Sequence, residues 1–131
     1  MSETQMRELF SKWIEVWHDR RDEVIPECLA PRYTRHGSSI QSSFSAVYTP
    51  EEYGRVLAAE REKFRIRFTI QDQAFVGDRI WVRLTLHRTD PETAELRNRA
   101  ALQVYRVEDG KLAETWVAYQ QPGSAWTDDP G

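Results

Sequence analysis

The sequence contains few of the residues that several common kinds of site require. Its 131 residues include one cysteine and three histidines, so an internal disulfide and a cysteine-rich metal site are both impossible. The lone Cys28 has apolar neighbours, which favours an inert buried thiol over a nucleophile. Three scattered histidines make a poor metal site. We therefore expect no metal and no cofactor.

Long hydrophobic runs and an excess of one charge are also missing. No apolar run approaches the length of a membrane span, and the N-terminus has no apolar signal core, so we expect a cytoplasmic protein. The 18 basic and 21 acidic residues are interspersed and leave a net charge of −3. Such a pattern has no basic patch for an acidic partner. We expect neither nucleic acid nor a membrane as a partner.

Aromatic residues, by contrast, are plentiful, with five each of Trp, Tyr and Phe in a chain that is 40% hydrophobic. This length and composition indicate one globular domain over residues 1–131. The aromatic side chains suit a core, a pocket or a subunit interface. The end of the chain, from about residue 122, is acidic and contains Pro and Gly. We expect it to be partly extended and to fray.

Three helices are predicted in the first half of the chain. The first covers about residues 2–18, because apolar residues recur there at helical spacing: Met6, Leu9, Phe10, Trp13, Ile14 and Trp17. This stripe is either core alone or also, through Trp13 or Trp17, part of the wall of a pocket. His18 is expected to face solvent at the helix end. A short helix follows at residues 22–29, and a third begins at Thr49, whose capping pattern includes Glu52, and ends near residue 62.

The remaining segments are predicted to be strands. Residues 32–37 form a short strand that has Tyr33 and Arg35 on one face and His36 on the other, and residues 38–45 form a loop. Four alternating strands occupy the second half. The last two meet at Asp109-Gly110, a strong hairpin signal. Helices followed by strands predict an α+β fold, with the helices packed on one face of a curved, mainly antiparallel sheet.

No sharp catalytic motif is present: the sequence has no HExxH, P-loop or GxSxG pattern. His36 is the best candidate for a general acid or base, because it lies on a short strand beside a loop and histidine titrates near neutral pH. The alternative for His36 is a hydrogen-bonded structural histidine.

The last two strands suggest a binding surface. Arg99, Gln103 and Tyr105 share one face of the first strand, while Trp116 and Gln120 share one face of the second. If both faces line a cavity, that cavity has aromatic walls and a few polar groups, as small-molecule sites do. The alternative is a cross-strand polar cluster on an outer, dimer-forming face.

The run from Tyr105 to Trp116 resembles the hairpin of the SnoaL-like polyketide cyclases, which belong to the nuclear transport factor 2-like superfamily. The segments 29–36 and 48–53 are similar to that family as well. The resemblance implies a cone-shaped, cystatin-like α+β barrel in which three N-terminal helices pack on the concave face of the sheet. It also implies a deep pocket between helices and sheet, and a homodimer formed through the outer face.

The resemblance further implies where catalytic carboxylates would lie, and this chain lacks them. The cyclase aspartate four residues after the tryptophan corresponds to Gln120. The two aspartates of the more distantly similar ketosteroid isomerases correspond to Gln103 and a position near Gly37. Glutamine can donate a hydrogen bond to an enolate oxygen, but it cannot exchange a proton near pH 7.

These observations favour a cofactor-independent enzyme that performs proton transfer, as a cyclase, dehydratase or isomerase, on a hydrophobic carbonyl or hydroxyl substrate. The predicted catalytic residues are His36 as acid or base, Tyr33 as its helper, and Gln103 and Gln120 as polarising groups. The predicted substrate-binding residues are Trp17, Tyr53, Arg99, Tyr105 and Trp116, with Trp116 facing the cavity. Two alternatives stay open: a non-catalytic ligand-binding module, and a dimerising module whose cavity is filled.

Overall fold

A computed structural model describes residues 1–40 and 42–130. Within those ranges it contains three α-helices and one six-stranded sheet. The helices are α1 (Glu3–Asp19), α2 (Ile25–Cys28) and α3 (Pro50–Lys63), and the strands are β1 (Leu29–Ser38), β2 (Ser43–Tyr48), β3 (Arg65–Val76), β4 (Arg79–Thr89), β5 (Leu96–Glu108) and β6 (Lys111–Tyr119). A 3₁₀ turn at Asp22–Val24 leads into α2. None of the helices in the described ranges is both long and apolar enough to cross a membrane.

The two longer helices begin where the sequence predicts, and each start has a capping box. The Ser2 hydroxyl accepts a hydrogen bond from the Gln5 amide, and the Gln5 side chain accepts one from the Ser2 amide. Thr49 and Glu52 form the same reciprocal pair at the start of α3. These bonds satisfy amide groups that have no partner within the helix, so the predicted helix starts are confirmed.

The sheet has the strand order β2-β1-β6-β5-β4-β3. All neighbours are antiparallel except β1 and β6, which run parallel. The β5–β6 hairpin lies at the centre, and its turn residues Asp109 and Gly110 have φ angles of 51° and 77°, as a primed hairpin turn requires. The helices cover one face of this curled sheet. The predicted α+β class and the curved, mainly antiparallel sheet are confirmed.

One predicted loop is partly a strand. Residues 38–45 were expected to be irregular, yet β2 begins at Ser43 and pairs with β1 from Ser38↔Ser43 to Tyr33↔Tyr48. The loop prediction at Gln41 lies outside the described residues. Exposed serines conceal this strand in the sequence, because an edge strand with little burial lacks a clear apolar alternation.

The end of the chain contacts the sheet. Residues 122–128, here called the C-terminal strap, run back along the sheet. The Trp126 indole donates to the Leu84 carbonyl at 2.9 Å, and the Asp128 carboxylate accepts from both Arg83 Nη1 and Nη2 at 2.8 and 2.7 Å. A large aromatic side chain and an ion pair therefore hold a segment whose composition alone suggests disorder.

Arg61 on α3 connects this helix to α1 and to the 3₁₀ turn that precedes α2. Its side chain is 7% exposed and contacts Asp22 at 2.6 Å. It also donates to the Val16 carbonyl at 3.0 Å, which links α3 to α1. A buried guanidinium with several acceptors is costly to disrupt, so this residue stabilises the helical layer that encloses the inner face of the sheet.

Candidate functional site

The strand register divides the sheet into two faces. Residues paired across neighbouring strands point to the same side. One such row lies under the helices on what we call the inner face: Gly37, Val117, Gln103 and Val82. The adjacent row lies on the opposite, outer face: His36, Trp116, Val104 and Trp81. The two faces carry different chemistry.

An enclosed cavity of about 90 Å³ lies between the helices and the inner face. Its walls are largely aromatic and include Trp13, Trp17, Tyr33, Tyr53, Phe68, Tyr105 and Tyr119. Polar and charged groups reach it from Arg35, Glu60, Arg88 and Gln103. We call this the inner cavity. Apolar walls with a few convergent polar groups are typical of a small-molecule site.

Arg35 is the main cationic group among the aromatic walls. Its Nη2 donates to the Tyr119 hydroxyl at 3.4 Å, and its guanidinium lies 5.8 Å from the Tyr53 ring centroid. Among the described residues, no carboxylate forms a salt bridge with it. A guanidinium stays charged at all physiological pH values, so this group presents an uncompensated positive charge to the cavity.

The tyrosines of the cavity are hydrogen-bond donors rather than bases. Burial raises the pKa of Tyr33, Tyr53 and Tyr105 above the ordinary tyrosine value, so their hydroxyls remain protonated at neutral pH. The Tyr33 hydroxyl lies 2.5 Å from Thr115 Oγ1. This contact fixes the Tyr33 ring against β6.

Among the described residues that line the inner cavity, Glu60 is the one that carries a carboxylate. Its Oε2 lies 3.8 Å from Arg88 Nη2, and both side chains are 37% exposed. The pair therefore lies where the cavity meets solvent. Arg88 Nε is buried and has no hydrogen-bond partner in the described part of the chain. The arrangement places a proton acceptor beside a cation.

Several predicted site residues line the inner cavity: Trp17, Tyr33, Tyr53, Gln103 and Tyr105. Arg99 lies nearby, with its guanidinium 5.4 Å from the ring centroid of Tyr119, a cavity-lining residue. Gln120 follows the end of β6, and its side chain is exposed. Its backbone N–H donates to the Ala100 carbonyl at 2.9 Å. Gln103 and Gln120 are therefore not brought together around one oxygen.

His36 and Trp116 do not line the inner cavity, and the expectation that Trp116 faces it is wrong. Both lie on the outer face, where their rings stack with centroids 5.6 Å apart. Alternation along β1 placed Tyr33 and His36 on opposite faces, so the two could not share one cavity. The proposal of a small-molecule site consequently depends on the inner aromatic residues and Arg35, not on Trp116.

His36 instead belongs to a hydrogen-bonded network. Its Nδ1 lies 2.7 Å from Ser45 Oγ, and its Nε2 lies 2.7 Å from Glu114 Oε2. Glu114 also accepts from Arg106 Nε at 3.2 Å. Burial alone would raise the pKa of Glu114, but its hydrogen bonds with His36 and Arg106 lower that pKa below its ordinary value. This geometry matches the structural alternative for His36.

The outer face carries a groove of about 670 Å³. It is lined mainly by apolar side chains, among them Trp81, Leu102, Val104, Trp116 and Ala118. Trp81 and Leu102 are each 50% exposed. We call this the outer groove. It is larger than the inner cavity, but it is open to solvent. Its open apolar surface suits a contact with another macromolecule better than chemistry on a small molecule.

The sequence analysis missed Arg35, Glu60 and Tyr119 as cavity residues. A signal existed for two of them. Strand alternation placed Arg35 on the same face as Tyr33, and helical spacing put Glu60 on the same side of α3 as Tyr53. In the described part of the chain, no group of three His, Cys, Asp or Glu side chains is arranged to hold a metal ion.

Solved structures with the same fold cover most of the chain. A proposed polyketide cyclase from Acidithiobacillus ferrooxidans superposes with a TM-score of 0.76 at 21% identity, covering 91% of each chain. IdmH, a proposed polyketide cyclase from Streptomyces antibioticus, gives a TM-score of 0.70 at 20% identity and covers 86% of this chain and 90% of its own.

A protein from Catenulispora acidiphila that has a ketosteroid isomerase-like fold, solved with trimethylamine, gives a TM-score of 0.70 at 12% identity. The match covers 86% of this chain and 85% of that one. Identities this low establish the fold alone. No curated protein matches the sequence. The SnoaL-like domain model, however, matches residues 10–115. This match confirms the resemblance seen in the hairpin and extends it to most of the chain. The chain belongs to the SnoaL-like domain family.

Proposed function

We propose that the chain binds a small hydrophobic carbonyl compound in the inner cavity and catalyses proton transfer on it. The observation that supports this is Arg35, a cation held among aromatic side chains without a carboxylate partner in the described residues. An engineered cavity of roughly 150 Å³ accommodates benzene. A volume of about 90 Å³ therefore admits only the reacting end of a larger ligand, and the remainder would extend through the opening beside Glu60.

In this mechanism, the substrate carbonyl oxygen accepts hydrogen bonds from Arg35 and from the Tyr119 hydroxyl. These donors stabilise the negative charge that develops on that oxygen as an enolate forms. The Glu60 carboxylate removes the proton from the carbon next to the carbonyl. Glu60 then delivers this proton to a different atom of the enolate, or to the alkoxide formed when the enolate adds to a second carbonyl, so that no net proton is consumed. Gln103 supplies a further polar contact in the cavity.

Two features support this choice of chemistry. Structural neighbours of the chain include proteins described as polyketide cyclases, whose substrates would carry activated carbonyl groups. In addition, the family carboxylates are replaced here by Gln103 and Gln120, and Glu60 supplies a carboxylate from a different element, α3. The reaction is therefore assigned to Glu60 rather than to the outer-face His36.

The experiment compares turnover of a panel of 1,3-dicarbonyl and polyketide-like compounds by the wild type and by Glu60→Gln. Removing a general base typically costs a factor of about 10²–10⁴, so we expect kcat to fall at least about 100-fold. Glu51→Gln, an exposed change on the same helix, and His36→Ala should leave turnover within about twofold. Undiminished turnover in Glu60→Gln, or no turnover of any compound by the wild type, would overturn the proposal.

A second function is favoured by the outer groove: association of two copies of the chain through this face. Trp81 and Leu102 expose apolar area that a partner face could bury. We propose a homodimer of the 15.4 kDa chain. Light scattering after size exclusion should give twice that mass for the wild type and the monomer mass for Leu102→Glu. Val76→Glu, at an exposed apolar site outside the groove, is the control and should stay dimeric.

A further inference from the structure

The charges around the inner cavity indicate the kind of ligand that it accepts. We infer that this ligand is a hydrophobic monoanion whose carboxylate binds Arg35. The inference rests on the proposed function only in placing the ligand in the inner cavity. It does not depend on Glu60 acting as a base. It is compatible with the carbonyl contact proposed above, because a guanidinium has five N–H donors and can hold a carboxylate and a carbonyl oxygen of one ligand together.

The charge balance is the first argument. The groups that line the cavity and are charged at neutral pH are Arg35, Glu60 and Arg88. Glu60 and Arg88 lie 3.8 Å apart and offset each other. Tyr33, Tyr53 and Tyr105 are neutral, because burial raises the pKa of each hydroxyl. Among the described lining residues, one positive charge is left over, at Arg35.

The surroundings of Arg35 are the second argument. Its neighbours offer partial stabilisation only: a long hydrogen bond to Tyr119 at 3.4 Å, and the faces of Tyr53 and Phe44, each with its ring centroid 5.8 Å away. Aromatic faces attract a cation weakly, and none of these groups carries a negative charge. A partly desolvated guanidinium without a counter-charge is unfavourable. A carboxylate from a ligand would supply that charge.

The shape of the site agrees with this chemistry. The planar guanidinium fork matches the two oxygens of a carboxylate. The nearby Tyr119 hydroxyl can donate a further hydrogen bond. The aromatic walls accept the methylene groups next to the acid, and a larger apolar end would extend through the opening beside Glu60. The buried Arg88 Nε, which has no partner within the described residues, provides another donor on a cavity-lining side chain. Both arginines thus favour a ligand that accepts hydrogen bonds.

The test compares two ligands of nearly identical shape, 3-phenylpropionate and 3-phenylpropanamide. Their dissociation constants would be measured at pH 7 by titration calorimetry and by quenching of the cavity tryptophans Trp13 and Trp17. We expect the acid to bind the wild type at least about tenfold more tightly than the amide. Arg35→Met should abolish this preference. Arg32→Met, an exposed change on the same strand, should preserve it.

The outcomes separate this inference from the proposed function. Equal binding of acid and amide by the wild type, binding of neither at millimolar concentration, or an acid preference that survives in Arg35→Met would overturn the inference. The wild-type comparison stands even if Arg35→Met does not fold. A preference for the acid without turnover of any compound would refute the catalytic proposal alone. Turnover of neutral carbonyl compounds without an acid preference would refute the inference alone.

Discussion

The two faces of the sheet are built from the same strands, yet their polar groups differ in how fully they are paired. On the outer face, His36 contacts Ser45 and Glu114, and Glu114 contacts Arg106. On the inner face, Arg35 has only phenol and ring neighbours. A histidine that could titrate looked like the stronger functional candidate in the sequence. The site proposed above rests instead on an unpaired charge among the described residues that line the inner cavity.

The two concave regions show a similar contrast in size. The outer groove measures about 670 Å³ and the inner cavity about 90 Å³. The larger region, however, is open and mainly apolar, whereas the smaller one is enclosed and contains a cation, hydroxyls and a carboxylate. Electrostatic contacts are stronger where water is excluded. Enclosure and polar content therefore indicate chemistry better than volume does.

The largest expected effect concerns the helices that enclose the inner face. Arg61→Ala removes the contacts to Asp22 and to the Val16 carbonyl and should lower the free energy of unfolding by about 2–3 kcal/mol. Urea denaturation monitored by tryptophan fluorescence measures the change. Arg55→Ala, which removes an exposed pair with Glu51 on the same helix, should cost less than about 0.5 kcal/mol. Similar losses in both variants would contradict the role assigned to Arg61.

A smaller effect tests the difference between the faces directly. Thr115 is fully buried on the inner face and bonds Tyr33, so Thr115→Val leaves the Tyr33 hydroxyl without its partner. We expect a loss of about 1–2 kcal/mol in unfolding free energy. Ser45→Ala removes an exposed partner of His36 and should cost less than about 0.5 kcal/mol. Equal losses of unfolding free energy in the two variants would mean that these hydrogen bonds on the two faces contribute equally to stability.

The smallest effect is a dependence of stability on pH at His18. This residue was expected to face solvent, but its Nε2 accepts from the Phe68 amide at 2.9 Å. Burial, aided by Arg67, lowers the pKa of His18 below the ordinary 6.5, against a smaller opposing effect of Asp19. The unfolded chain therefore binds the proton more readily. The stability contributed by neutral His18 is complete above pH 6.5 and is lost as the pH falls through the lower folded pKa.

Thermal denaturation between pH 7.5 and pH 5 should reveal this contribution. We expect the melting temperature of the wild type to fall more steeply on acidification than that of His18→Gln, whose side chain keeps an acceptor but does not titrate. Parallel pH profiles of the two proteins would show that the hydrogen bond from the Phe68 amide does not depend on the charge of His18.

Local signals in the sequence predicted the helices and the central hairpin well. The capping pairs at Ser2 and Thr49 and the turn at Asp109-Gly110 involve residues within a few positions of each other, so short-range sterics and hydrogen bonding determine them. The docking of the C-terminal strap could not be predicted in this way. Trp126 bonds Leu84, which is 42 residues away in the chain.

The site was predicted only in part for a related reason. Alternation divides each strand into two faces, but it does not say which face the helices will cover. Gln103 and Trp116 were both expected to face the cavity, but of the two only Gln103 lies on the covered face. Val104 pairs with Trp116, and Gln103 pairs with Val117. This register places Val117, and not Trp116, on the same face as Gln103. That register depends on the whole sheet and not on either strand alone.

The parallel pairing of β1 with β6 has a kinetic consequence. Tyr33 on β1 and Thr115 on β6 are 82 positions apart. The β1 strand can therefore pair with β6 only when the last strand of the chain is available. Contacts this distant raise the entropy cost of loop closure and slow folding, to the order of milliseconds to seconds for sheet-rich domains. On the ribosome, the inner cavity would assemble in a late step, after β6 has emerged. Until β6 is available, the helices and the other hairpins would be only partly folded.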